Sequence, residues 1–216
     1  MTVFVTGGTG YLGSRLILAL LARGHDVSAV VRPGSEKKLP AGCTAVTGNA
    51  LEGSTYRQGV PTGCVFVQLV GVAHPSPAKA RQFVEIDERS AKEAVAVAGV
   101  AGVKHFVYVS VAHPAPAMHA YIEVRMRCEQ AIRDSGLHAA ILRPWYVLGP
   151  GHWWPYLLIP FYGLASLIPA TREGAQRLGL VTVNQMVAAL VAAVERDVRG
   201  VEVFDVPAIR SGLGGQ

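Results

Sequence analysis

Short β-branched, apolar runs alternate along the chain with longer stretches in which apolar residues recur at helical spacing. Runs at 2–6, 26–32, 43–48, 64–71, 105–110 and 138–144 predict strands, and segments at 10–23, 79–99 and 119–135 predict helices. The first helical segment carries Leu12, Leu16 and Leu20 on one face, the stripe by which a helix packs on a sheet. Several strand runs are apolar throughout, as a sheet covered on both faces requires. Strand–helix alternation of this kind predicts an α/β fold built on a doubly wound, mostly parallel sheet.

After about residue 145 the texture changes. Residues 153–170, WWPYLLIPFYGLASLIPA, contain no charged side chain. A spanning helix needs about 20 such residues, and Pro155, Pro160 and Pro169 would each disturb it. The stretch is expected to form an apolar, substrate-side segment within 145–180, with contact to a membrane surface as a weaker alternative and a span disfavoured. The runs LGLVTV, NQMVAALVAAVERD and VEVFDV then restore the strand–helix–strand pattern, and SGLGGQ reads as a frayed tail. No internal repeat interrupts residues 1–216, which read as a single domain.

Composition narrows the class. Half of the residues are hydrophobic and 16% are charged, as in a compact globular protein. The net charge of +5 is dispersed, with no basic run beyond Lys37-Lys38, so a nucleic-acid footprint is not expected. Cys43, Cys64 and Cys128 fit neither a metal knuckle nor a C-x-x-C pair, and no further metal-ligand spacing is present. Free thiols and a first strand starting at residue 2, with no signal peptide before it, predict a reducing, cytoplasmic location.

The strongest chemical signal is VFVTGGTGYLGSRLILALLARG. A strand ends in a turn that reads G-x-x-G-x-x-G through Gly7, Gly10 and Gly13, or G-x-G-x-x-G through Gly8, Gly10 and Gly13, and the turn opens a helix. The first glycine permits the tight turn, the middle one lets a pyrophosphate approach the backbone, and the last lets helix and strand pack closely. The helix N-terminus adds unpaired N–H groups and a positive dipole end. This predicts a dinucleotide site in which Gly7, Gly10, Tyr11, Leu12 and Gly13 surround the phosphates. An NAD-preferring site places an acidic residue about 20 positions on, for the ribose 2′-hydroxyl. Here the second strand ends in Arg32, followed by Ser35, Lys37 and Lys38. A guanidinium suits a 2′-phosphate, so NADP(H) is favoured and NAD(H) remains the alternative. Asn49, after the third strand, is a candidate for the adenine edge.

The stretches VTGGTGYLG, AGVKHFVYVS, CEQAIRDSGLHAAILRPWYVLGPG and GLVTVNQMVAALVAAVE occur in an order that resembles the short-chain dehydrogenase/reductase superfamily. The likeness is to its atypical and extended branches, including NmrA-like and epimerase-like NAD(P)H-binding members. It implies a Rossmann-type sheet with a small C-terminal substrate region. It also implies a serine after the fifth strand and a Y-x-x-x-K pair, in which the tyrosine exchanges a proton with the substrate oxygen. The lysine of that pair holds the nicotinamide ribose and lowers the tyrosine pKa. A free tyrosine titrates near 10, so bringing it to about 7 takes roughly 4 kcal/mol of selective phenolate stabilisation.

On this resemblance Tyr121 takes the tyrosine position and Arg125, four residues on, the lysine position. Arginine keeps the charge but is a poor member of a proton relay. Ser110 ends the fifth strand, whereas the catalytic hydroxyl of extended members falls one or two positions later, at Val111 or Ala112 here. His113 and His119 flank the following loop and are alternative donors. Ala50, Val70, Gly71 and Pro144 complete the candidate cofactor contacts, and Trp145, Tyr146 and His113 the candidate substrate contacts. The function expected is NADP(H)-dependent oxidoreduction of an apolar carbonyl, quinone-like or sugar-derived small molecule. The alternative is a regulator or assembly subunit that binds nucleotide without turnover.

Overall fold

A computed structural model of the chain describes residues 1–115, 117–150 and 178–214. The 153–170 stretch and most of the expected substrate-side segment lie outside the described residues. Strands β1 (Thr2–Thr6), β2 (Asp26–Val31), β3 (Thr44–Thr47), β4 (Val65–Gln68), β5 (His105–Val109) and β6 (Ala139–Arg143) follow the apolar runs, each ending at or inside the predicted limits. Helix α1 (Tyr11–Ala22) follows the glycine turn. The second predicted helix begins as α2 (Ala80–Gln82), passes through a π-helical turn (Phe83–Glu88) and continues as α3 (Arg89–Ala101). Helix α4 spans His119–Asp134.

The short strand β7 (Tyr146–Leu148) was not expected. It pairs in parallel with β8 (Leu180–Thr182), apart from the main sheet. Helix α5 (Val183–Glu195) starts on a capping box: Thr182 Oγ1 accepts from the Gln185 N–H, and the Gln185 side chain accepts from the Thr182 N–H. The last strand, β9 (Val201–Asp205), leads into a short helix α6 (Val206–Arg210) that the sequence pattern did not predict.

The main sheet has the order β3-β2-β1-β4-β5-β6-β9, and every pairing in it is parallel. The chain winds outward from β1 to β3, then returns to place β4 on the other side of β1. The crevice between the C-terminal ends of β1 and β4 is therefore the switch point at which such sheets bind ligands.

Both faces of the sheet are covered, which is why its strands are apolar throughout. Val3, Val5, Val65, Val67, Val107 and Leu142 point to the face packed by α1 and α5. Phe4, Phe66, Phe106, Tyr108 and Ile141 point to the face packed by α3 and α4. On that second face, ring centroids stand 5.2 Å apart for Phe4–Phe66 and 5.3 Å for Phe66–Phe106. Aromatic rings thus fill the side where α3 contributes mainly alanine and valine.

Candidate active site

The glycine turn is built by close approach. Gly7 has φ +80°, in the left-handed region. A Cβ at Gly13 would fall 2.2 Å from the Gly7 carbonyl oxygen, so any side chain there would drive α1 off the turn. Gly10 is the N-cap of α1, no side chain caps the helix, and its first turn carries no acidic residue. A helix N-terminus that no side chain caps, at the end of a glycine turn, is the arrangement that suits an anion. A Cβ on Gly7 would meet Leu69 C and Val70 N at 2.8 and 2.9 Å, so the turn lies directly against the loop leaving β4. Tyr11 and Leu12, half-buried, open the helix. The Tyr11 hydroxyl packs so closely on Gly149 that a Cβ there would lie 2.0 Å away.

The residues expected on the adenine side lie at the ends of β2 and β3. Arg32 is exposed, and no carboxylate pairs with it among the described residues. The nearby Glu36 instead accepts from the Gly34 N–H. Asn49 is exposed too, and its Oδ1 accepts from the Leu51 N–H in a local turn. Ala50 is half-buried beside it.

Beyond the β4 loop lies the Tyr121–Arg125 pair. Both start from α4, and the Arg125 guanidinium carbon lies 5.0 Å from the Tyr121 ring centroid and 5.6 Å from that of Tyr108. Arg125 is 6% exposed. Its Nη1 donates to the Val109 carbonyl at 2.8 Å and to the Tyr108 hydroxyl at 3.1 Å, and its Nη2 donates to Asp87 Oδ1 at 2.5 Å. Its Nε is buried without an acceptor among the described residues. A Cβ on Gly71 would stand 2.6 Å from Nη2, so the β4 loop rests on this guanidinium. The Tyr121 ring is half-buried and packs 4.9 Å from Phe83. Burial raises its phenol above the ordinary range, against the opposing pull of the Arg125 cation. The result is a protonated phenol over a fixed positive charge.

Ser110, 3% exposed, donates to Glu129 Oε1 at 2.6 Å. Glu129 also receives a two-pronged contact from Arg143, at 2.9 and 2.5 Å, while His113 Nε2 stands 3.6 Å away. Burial opposes the charge on Glu129, but the hydrogen bonds from Arg143 and Ser110 prevail and hold its carboxyl below the usual range. The serine hydroxyl is thus turned inward to a carboxylate. His113 is half-buried above it, and His119 is exposed. The Pro144 carbonyl accepts from the Ala112 N–H at 2.9 Å, and Trp145 and Tyr146 follow in edge-to-face contact at 5.3 Å.

Phosphate turn, β4 loop, Arg125 and Tyr121 therefore form one contiguous wall, while Ser110 and His113 belong to the neighbouring Glu129 cluster. Asp87 and Glu129 escaped the sequence reading because each lies on a helix among other charges, where an inward carboxylate looks like a solvated one. Among the described residues no cluster of metal-ligating side chains is present, and no helix is long and apolar enough to cross a membrane.

A family model described as NAD(P)H-binding matches residues 7–149, from the glycine turn to the residue beneath Tyr11. The chain belongs to this NAD(P)H-binding family. The curated proteins it resembles include ones named as reductases and one named as a sugar epimerase. The chain is 27% identical to a Streptomyces 3-diazoavenalumate denitrifying reductase, covering 93% of this chain and 74% of that protein. It is also 27% identical to a Caulobacter vibrioides ceramide reductase, covering 94% of this chain but only 64% of that relative. Among solved structures, a Bordetella bronchiseptica enzyme, WbmH, in complex with NAD+ superposes with a TM-score of 0.69 at 22% identity, over 94% of this chain and 75% of that one. The UDP-N-acetylglucosamine 4-epimerase of Bacillus cereus gives 0.68 at 15% identity, over 98% and 83%. At such identities the structural likeness speaks for the shared fold.

Proposed function

We propose that this NAD(P)H-binding protein is an NADPH-dependent reductase of small, largely apolar carbonyl compounds, with Tyr121 as the proton donor. The observation that carries this reading is the protonated, half-buried phenol of Tyr121 held over the Arg125 cation, one loop away from the phosphate turn. When bound, the nucleotide supplies hydride. The protein's own residues do the rest. The turn from Gly7 to Gly13 and the start of α1 hold the pyrophosphate, and Arg32 receives the 2′-phosphate. Val70, Gly71 and Pro144 line the nicotinamide side, with Trp145, Tyr146 and His113 toward the substrate. The Tyr121 O–H would meet the charge growing on the substrate's carbonyl oxygen and give up its proton to it. Arg125 acts through the ring beside it, since its Nη groups are engaged within the protein, and its charge stabilises the phenolate left behind. Burial nonetheless leaves this phenol above its ordinary range rather than lowered as the family resemblance implied, so the Arg125 charge only partly offsets the cost of forming the phenolate.

Two relatives bear names of reductases, of a denitrifying and a ceramide kind, which supports reduction. The apolar, aromatic stretch after Trp145 supports a greasy substrate over a free sugar. A second reading has its own support: Ser110 is committed to Glu129 and Arg125 to Asp87, so two of three expected catalytic positions are tied up inside the protein. On that reading the protein senses NAD(P)H without turnover. Absorbance at 340 nm with NADPH and a panel of long-chain and aromatic ketones, aldehydes and quinones separates the two. Oxidation of NADPH with any member supports the reductase, whereas tight NADPH binding with no hydride transfer across the panel supports the sensor.

A further inference from the structure

Asp87 has no part in the scheme above, yet it is the point at which the nucleotide side and the tyrosine side meet. It is 1% exposed and sits in the π-helical turn Phe83–Glu88, whose extra residue per turn changes which side chains face inward. Its two carboxylate oxygens are divided. Oδ1 accepts from Arg125 Nη2 at 2.5 Å, and Oδ2 accepts from the backbone N–H of Val72 at 2.9 Å. Val72 belongs to the loop whose earlier residues, Leu69 and Val70, touch the phosphate turn. Arg125 is the cation beneath Tyr121. The same turn supplies Phe83 to the Tyr121 ring, and Ser90, two residues past its end, takes a hydrogen bond from Gln68 at the end of β4.

We infer that Asp87 is a positioning residue that clamps the β4 loop and the Arg125 guanidinium to one buried carboxylate, so that the nucleotide-binding loop and the Tyr121 proton donor are set in register. The inference rests on the nucleotide site proposed above. A lone buried carboxylate would be costly, as would a lone buried guanidinium. The loop is therefore held where Val72 can donate, and Arg125 is held where it can pair. An asparagine has one acceptor oxygen in place of two. Its NH2 would face either the Val72 N–H or the guanidinium, so one half of the clamp must open. The titratable groups that act on this carboxylate from the packed elements are Arg125, Tyr121 and Cys128 of α4, while Tyr108 of β5 bonds to the same guanidinium. No second acidic residue offsets the guanidinium in the contacts described.

Residue-resolved amide exchange on the unmodified protein tests the clamp directly. The Val72 N–H is expected to exchange about tenfold or more slowly than those of Gly71 and Ala73, since it alone of the three has an acceptor among the described residues. Equal exchange at the three positions overturns the inference. Asp87→Asn then tests the consequence for ligand. NADPH fluorescence titration is expected to show binding weakened about tenfold or more, with Val72 protection lost. A folded Asp87→Asn protein that binds NADPH as the parent does would reduce Asp87 to a core residue. If Asp87→Asn does not fold, the exchange result on the unmodified chain decides. Failure of the parent itself to bind NADPH would instead count against the nucleotide assignment, which keeps the two failures apart.

Discussion

Arg32 illustrates what a single residue can carry. It leaves the end of β2 exposed and without an acidic partner among the described residues, beside a turn built to hold phosphate. A planar guanidinium in that place suits a 2′-phosphate. Arg32→Glu is expected to weaken NADPH about tenfold or more while leaving NADH within about threefold, because the charge reversal acts only on the extra phosphate. Isothermal titration with both nucleotides checks this, and equal losses would remove the NADP assignment. At this scale the sequence was legible where chemistry fixes a spacing. Gly7, Gly10 and Gly13 are required by backbone approach within a few residues, and Tyr121 and Arg125 share a helix face. It was not legible where a side chain's role depends on a partner far along the chain. Asp87 and Arg125 are 38 positions apart, and nothing local marks either as half of a buried ion pair.

At the scale of elements, α1 and α5 pack side by side and are joined at one end by charge. Glu195, at the end of α5, accepts from Arg23 Nε and Nη2 at 2.7 and 2.8 Å and lies 2.9 Å from His25 Nε2. The hydrogen bond from Arg23 and then that from His25 hold its carboxyl down at about 2, from an ordinary 4.5. A depressed carboxyl stabilises the folded state above its unfolded value, and that stability is lost as the pH falls from about 4.5 toward 2. Because the pair is largely solvated, Glu195→Gln is expected to lower Tm by only about 1–3 °C at pH 7. In thermal scans the gap to the parent should close between pH 4.5 and pH 2. A gap that persists at pH 2 would assign the effect to packing. The helices and main strands were legible from periodicity. The π-helical turn was not, because one extra residue shifts the helical phase without any change in composition. The strand β7 was missed because three residues are too few to show a period, and α6 because it is a five-residue turn begun by Val206-Pro207.

For the whole molecule, the alternation of strands and helices foretold a doubly wound sheet, and the order β3-β2-β1-β4-β5-β6-β9 bears it out. The sheet explains why residues 7–13 and 69–72 lie close to Tyr121 and Arg125: each belongs to a segment that follows the C-terminal end of β1, β4 or β5. It does not by itself decide turnover, since the fold serves reductases and epimerases alike. The account instead turns on the Tyr121 phenol, raised by burial and paired with a buried cation. The most direct test is single-turnover oxidation of enzyme-bound NADPH by Tyr121→Phe beside the parent, using whichever carbonyl compound the parent reduces. The account predicts a rate lower by about 100-fold or more, the usual worth of a positioned proton donor, with NADPH affinity unchanged within about twofold. A Tyr121→Phe protein that oxidises NADPH at the parent's rate would contradict it.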